Sequence, residues 1–256
     1  MSPLLFNVYM DDLSKSLEGV NAGCLMNGVN FNHLLYADDM TLIAPSIRAL
    51  QVLLNYCDKF ACDNDVKYNT KKTKCMCIRP KVFKTKFVPV FELSGKQLEL
   101  VNCHKYLGIH VTTCLKDDTD IRYQCRNVYS RGNILIRNFK RCNDQVKCQL
   151  FQSFCTQFYG APLWSCFNIE SMRLLKVAYN RIFRILLGLD HMTSMTTSFI
   201  RRGLNPFCVV VRKNICSFRS RILSSDNNLL KTIVESMYFT SSKLTKRWNK
   251  TVFNFK

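Results

Sequence analysis

Two adjacent carboxylates, Asp38 and Asp39, follow Tyr36-Ala37 and stand between the apolar runs His33–Tyr36 and Met40–Ala44. Short apolar runs split by Ala-Asp-Asp read as two strands joined by a tight turn, with the acids at the bend. Ionised carboxylates forced together repel, so the arrangement is favourable mainly when a cation neutralises it. Mg2+ suits it, because that ion takes oxygen ligands, keeps several waters and binds through one or two carboxylates plus substrate phosphates. The chemistry within reach is phosphoryl or nucleotidyl transfer. Taken alone, the pair reads first as a solvated turn, since turns are rich in Asp.

The elements that must position these acids follow from periodicity. Pro3 suits a first helical turn, and Leu5, Tyr9, Leu13 and Leu17 continue at helical spacing to Gly19. A second acidic pair, in Tyr9-Met10-Asp11-Asp12, therefore falls on a helix surface and not at a strand turn. Ser46 is placed to cap a helix with Ile47, Leu50, Leu54, Cys57 and Ala61 inward. Val66–Tyr68 and Lys74–Ile78 read as strand edges around a basic turn, 91–100 as a hairpin turning at Ser94-Gly95, and Lys105–Val111 as a further strand. Beyond it, helices are expected over 121–139, from a cap at Asp144 to Tyr159, over 171–187 and over 209–223, followed by a basic tail ending Lys246-Arg247-Trp248.

Charge divides the chain in the same place. Of the 37 Lys/Arg and 18 Asp/Glu, residues 1–120 hold 14 and 13, while residues 121–256 hold 23 and 5. A net charge of +19 concentrated in the helical part points to an acidic partner, nucleic acid or an anionic surface. Two regions are expected, 1–115 and 116–256. With 47% hydrophobic residues the chain is no disordered polyelectrolyte, and it contains no apolar run long enough to span a membrane. The N-terminus lacks the pattern of a secretory signal, so an intracellular, nuclear or cytoplasmic protein is expected. The fourteen cysteines are scattered, contain no C-x2-C and read as reduced, mostly buried thiols.

Tyr36-Ala37-Asp38-Asp39 between apolar strands resembles the active-site hairpin of reverse transcriptases, in the form found in non-LTR (LINE-type) retrotransposons. Ser2-Pro3-Leu4-Leu5-Phe6-Asn7 resembles the second half of that family's template- and dNTP-contacting helix motif. Asn69, Lys72 and Thr73 resemble its later N-x-x-K-T segment, and Tyr106-Leu107-Gly108 its primer-grip turn. Four ordered elements over the first part of the chain make coincidence improbable, and a weaker similarity to thumb regions extends the match.

The resemblance implies an α+β fold: a partial right-hand polymerase palm, an antiparallel sheet with helices, over 1–115, then a basic α-helical thumb and C-terminal region over 116–256. It implies Asp38 as the metal-binding carboxylate, Asp39 as its supporting neighbour, and Lys72 near the departing pyrophosphate. Ser2, Pro3, Phe6 and Asn7 would line the template and dNTP pocket. Tyr36, Ala37, Tyr106, Leu107 and Gly108 would contact the primer, and Arg122, Arg126, Arg131, Arg137 and Lys140 would bind nucleic acid. The partners implied are an RNA template, a DNA primer and dNTP, with no membrane, and the cofactor of the complete enzyme is Mg2+. Family enzymes take a further aspartate from a palm strand upstream of the motif that begins at Ser2, so the chain is expected to be a fragment without activity of its own. The alternative is a non-catalytic nucleic-acid-binding remnant using the basic helices. A viral RNA-dependent polymerase is disfavoured by Ala37, where that family usually has Gly.

Overall fold

The computed structural model describes residues 2–78 and 88–253. Among these, the first half runs α1 (Ser2–Glu18), β1 (Cys24–Met26), β2 (Val29–Phe31), β3 (His33–Tyr36), β4 (Asp39–Leu42), α2 (Ile47–Asp63), β5 (Lys74–Cys75), β6 (Glu92–Leu93), β7 (Lys96–Gln97) and β8 (Glu99–Leu100). The rest runs β9 (Cys103–Tyr106), β10 (Ile109–Thr112), α3 (Asp118–Asn138), α4 (Asp144–Cys155), α5 (Ile169–Leu186), α6 (Met195–Arg201), α7 (Phe207–Leu223), α8 (Asn228–Glu235), α9 (Met237–Ser241) and α10 (Lys243–Phe253). The chain divides into two compact units, residues 1–102 and 103–256. The division precedes the β9–β10 hairpin, which packs against α3, whereas the change in charge falls beyond it.

In the first unit, Leu13 and Leu17 of α1 and Leu53 of α2 are fully buried and meet Phe91, Leu93 and Leu98 in one apolar core. Burying such side chains stabilises by about 1.5–3 kcal/mol each. The α2 helix begins where sequence placed it, with Ser46 Oγ accepting from the Ala49 N–H at 3.2 Å. Leu54, Cys57 and Ala61 face inward, while Ile47 at the first turn is exposed. The hairpin at Ser94-Gly95 forms, and a β1–β2 hairpin at Asn27-Gly28 adds one that sequence reasoning missed.

The expected antiparallel sheet is not one sheet. The described residues form five separate two-stranded ribbons, four antiparallel and one, β5–β8, parallel. Strands of two to four residues offer too few ladder bonds to propagate sideways. Val66–Tyr68 forms no strand, and Lys105–Val111 is not a single strand either. Leu107 and Gly108, both at positive φ, fold it into the β9–β10 hairpin.

The second unit is helical. Leu175, Ala178, Tyr179, Ile182 and Phe183 of α5 are buried against Ile121, Val128 and Leu135 of α3. At their crossing Gly132 leaves the room, since a Cβ there would stand 2.3 Å from Ile182 Cγ2. The cap of α4 is Asn143 and not Asp144. The Asn143 backbone is extended and its Oδ1 accepts from the Val146 N–H at 2.9 Å, which puts Asp144 in the first turn. The basic tail is also corrected, because Lys246-Arg247-Trp248 lies in α10. Trp248 is 1% exposed between Phe218 and Phe239, and its Nε1 donates to the Pro162 carbonyl at 2.7 Å. The Arg247 guanidinium donates to the carbonyls of Ala161 and Trp164, and burial pulls its pKa down to about 10 against the pull of Asp117.

All fourteen cysteines are free, but only Cys57, Cys75, Cys148 and Cys155 are buried. The expectation of mostly buried thiols fails because many lie on outward helix and strand positions, among them Cys62, Cys103 and Cys208.

Candidate active site

The β3–β4 ribbon pairs Tyr36 with Asp39, leaving Ala37 and Asp38 as a two-residue turn. Asp38 occupies the bend, and Asp39 opens β4. Ala37 has φ +50°, a left-handed conformation that costs an L-residue roughly 1–2 kcal/mol. Both carboxylates are exposed, and neither has a hydrogen bond or ion pair among the described residues. Their oxygens are therefore open to a cation, and two such donors fit the partial protein coordination Mg2+ accepts. No third His, Cys, Asp or Glu among the described residues completes a metal-binding group with them.

The ribbon is anchored at its root. Asn32, 2% exposed, donates from Nδ2 to the Leu17 carbonyl at 2.6 Å and more distantly to Val20, satisfying carbonyls at the C-terminal end of α1. Its Oδ1 is 2.7 Å from His33 Nδ1, and His33 Nε2 is 2.7 Å from Ser14 Oγ. Because Asn32 Oδ1 only accepts, the neutral ring carries its proton on Nδ1 and accepts from Ser14 at Nε2. Burial holds the His33 pKa below its usual value, with Glu18 opposing. Met40 and Leu42 of β4 add apolar contact with the first core. The acids thus project from a ribbon fixed at its base by α1.

The other candidates are dispersed over both units. Lys72 is exposed and pairs with neither hairpin acid among the described residues. Asn69 organises its surroundings, accepting from the Lys72 N–H at 2.9 Å on its carbonyl and 3.2 Å on Oδ1, and from Thr73 Oγ1 at 3.0 Å. The Asn-x-x-Lys-Thr spacing therefore closes a turn. Phe6 and Tyr36 are exposed, at 37% and 64%. Ser2, Pro3 and Asn7 belong to α1, but their side chains lie outside the described residues. Asp11 and Asp12 sit on the α1 surface, Asp11 pairing with Lys15 at 2.5 Å.

In the second unit, Tyr106-Leu107-Gly108 forms the β9–β10 bend. Sequence reasoning missed the group that holds it. Asp120, 1% exposed, accepts on Oδ1 from the His110 N–H at 3.1 Å and lies 3.3 Å from His110 Nδ1, while Oδ2 accepts from Trp164 Nε1 at 2.8 Å. His110 also packs on the Tyr123 ring, 4.5 Å between centroids. The Lys105 ammonium bonds the Tyr123 hydroxyl at 3.2 Å and draws its pKa down. The available signal was an acid immediately before the helix expected over 121–139. Of the proposed nucleic-acid contacts, Arg122, Arg126, Arg137 and Lys140 are exposed, whereas Arg131 is partly buried and donates to the Phe154 carbonyl at 3.2 Å.

Residues 1–111 match the sequence model of the family described as reverse transcriptase (RNA-dependent DNA polymerase). No curated protein matches the chain. The matched segment spans the hairpin acids, the Asn69 turn and the Tyr106–Gly108 bend, and it supports an RNA-directed DNA polymerase relationship, with nucleic acid as the substrate class. No helix among the described residues is long and apolar enough to cross a membrane.

Proposed function

We propose that the first unit derives from the palm of a non-LTR retrotransposon reverse transcriptase and that Asp38 is its metal-binding carboxylate. The observation that carries this reading is the two-residue bend of β3–β4, which puts Asp38 in the turn and Asp39 at the first strand position after it, both exposed and unpaired among the described residues, inside the matched segment. Asp39 supports the metal, Lys72 stabilises charge on departing pyrophosphate, and Tyr36 with Ala37 approaches the primer end. Ser2, Pro3, Phe6 and Asn7 contribute to the template and dNTP pocket, and Tyr106 to Gly108 grip the primer. Mg2+, when bound, supplies Lewis-acid stabilisation of the reacting phosphate.

A two-metal clamp needs more carboxylate than this pair, so the chain alone is proposed to lack robust synthesis. Two measurements test the reading. Mn2+ in the presence of an RNA-template and DNA-primer duplex should broaden the amide signals of Tyr36–Met40, and Asp38→Asn should remove that broadening. No metal-dependent effect at the hairpin would defeat the proposed site. In primer extension with Mg2+, robust synthesis abolished by Asp38→Asn would keep the site and overturn the proposed inactivity.

The exposure of Arg122, Arg126, Arg137 and Lys140 along α3 and just past its end favours a second reading, a non-catalytic nucleic-acid-binding remnant. Charge reversal at Arg122 and Arg126 should weaken duplex binding and flatten its salt dependence. Unchanged affinity and slope would sink it.

A further inference from the structure

We propose that α10 presents a second nucleic-acid-binding face, separate from α3, on which Lys243, Lys246 and Lys250 contact phosphates of a nucleic-acid strand. These lysines follow i, i+3, i+7 spacing, which aligns them along one side of the helix over about 10 Å of its length. All three are exposed, and none has an ion-pair partner among the described residues.

The opposite side of the same helix carries Leu244, Trp248 and Val252, packed into the second unit's core. Arg247, the fourth cation, is turned inward and used up on the Ala161 and Trp164 carbonyls and on the Phe167 ring, 5.1 Å away. The structural cation and the outward lysines are thus distinct sets.

The missing counter-charge is the informative part. A solvated helix face ordinarily mixes signs, because opposite charges three or four residues apart stabilise the helix and like charges destabilise it. Here α10 and the α7 helix it packs against contain no Asp or Glu at all. The outward side of α7 adds Lys213 and Arg221. A lone-sign surface of this kind is relieved by a polyanion, and each phosphate contact releases condensed counterions.

Nucleic acid fits better than an anionic bilayer. A helix that lies in a membrane needs a free apolar face to insert, and the apolar face of α10 is already occupied by the core, with Trp248 1% exposed. The nucleic-acid substrate class of the matched segment points the same way, but the inference rests on the second unit and stands whether or not Asp38 binds metal.

The test uses the full chain with Lys243→Glu, Lys246→Glu and Lys250→Glu combined. These are exposed positions, and unchanged tryptophan fluorescence, from buried Trp164 and Trp248, and an unchanged melting temperature would establish that the fold is intact. Fluorescence anisotropy with a labelled RNA oligonucleotide, titrated at several salt concentrations, should give binding roughly ten- to a hundredfold weaker at low salt. The slope of log affinity against log salt should fall by about two, from the loss of up to three phosphate contacts. Adding Arg122→Glu and Arg126→Glu should weaken binding further if α3 is a separate face. Affinity and slope unchanged by the lysine triple variant would overturn the proposal. So would wild-type protein that ignores RNA yet binds phosphatidylserine vesicles through the same lysines.

Discussion

At the scale of single residues, His33 and Asn32 decide how firmly the acidic ribbon is held. The folded state favours a neutral His33, since its pKa lies below the ordinary value of 6.5. Protons therefore bind the unfolded chain first. The contribution is fully present above pH 6.5 and is lost as pH falls from there through the lower folded pKa. Urea unfolding of the first unit should show stability declining over that acidic range, and His33→Gln should flatten the decline. Asn32→Ala removes the amide donor to the Leu17 carbonyl, which keeps the Val20 N–H, and the partner of His33 Nδ1, and should cost about 0.5–1.5 kcal/mol in the same measurement.

The bend itself is equally particular. Ala37 holds a positive φ, so Ala37→Val, with a branched Cβ, should destabilise by about 1–3 kcal/mol on chemical denaturation. None of this was legible in the sequence. The pattern of residue types revealed that two acids sit at a strand turn. It did not reveal that a histidine and an asparagine just before that turn would be the anchors, because hydrogen bonds to carbonyls fifteen residues away depend on packing, not on spacing.

At the scale of elements, the helices were the readable part. A face repeated every three to four residues survives whatever the helix packs on, so Leu175, Tyr179, Ile182 and Leu186 were found inward as spacing required. The strands were harder, since pieces of two to four residues hold no period to count, and Lys105–Val111 concealed a reversal at Leu107-Gly108. Leu107 is instructive there. Asn27-Gly28, Ser94-Gly95 and Leu107-Gly108 all place two consecutive residues at positive φ, yet only the third uses a bulky residue first. Close approach of α3 and α5 depends on Gly132, and Gly132→Ala must displace Ile182. A loss of about 1–3 kcal/mol in thermal or chaotrope unfolding is expected. Unaltered stability would mean that the two helices separate more easily than their packing suggests.

For the whole molecule, the hairpin bearing Tyr106 to Gly108 belongs with the helices and is tied to them through Asp120. Asp120→Ala removes the acceptor for both His110 and Trp164, and should cost about 3 kcal/mol or more while loosening β9–β10. Hydrogen exchange at the hairpin amides would register this, and protection equal to wild type would rule out the anchoring role. The sequence did divide the chain into an acid-bearing part and a basic helical part. Charge marked the border beyond the hairpin, since a charge count cannot see that a ribbon with Lys105 as its lone Lys or Arg docks on α3.

The burial of Trp248 has a consequence for how this molecule is made. Its indole fills a hole lined by Phe218 and Phe239 and bonds a carbonyl laid down 86 residues earlier. During synthesis the second unit cannot finish until α10 has emerged from the ribosome. Until then a greasy slot stands open, ready for chaperones or for other nascent chains. A stop codon placed before Lys243 should therefore yield aggregated or rapidly degraded protein.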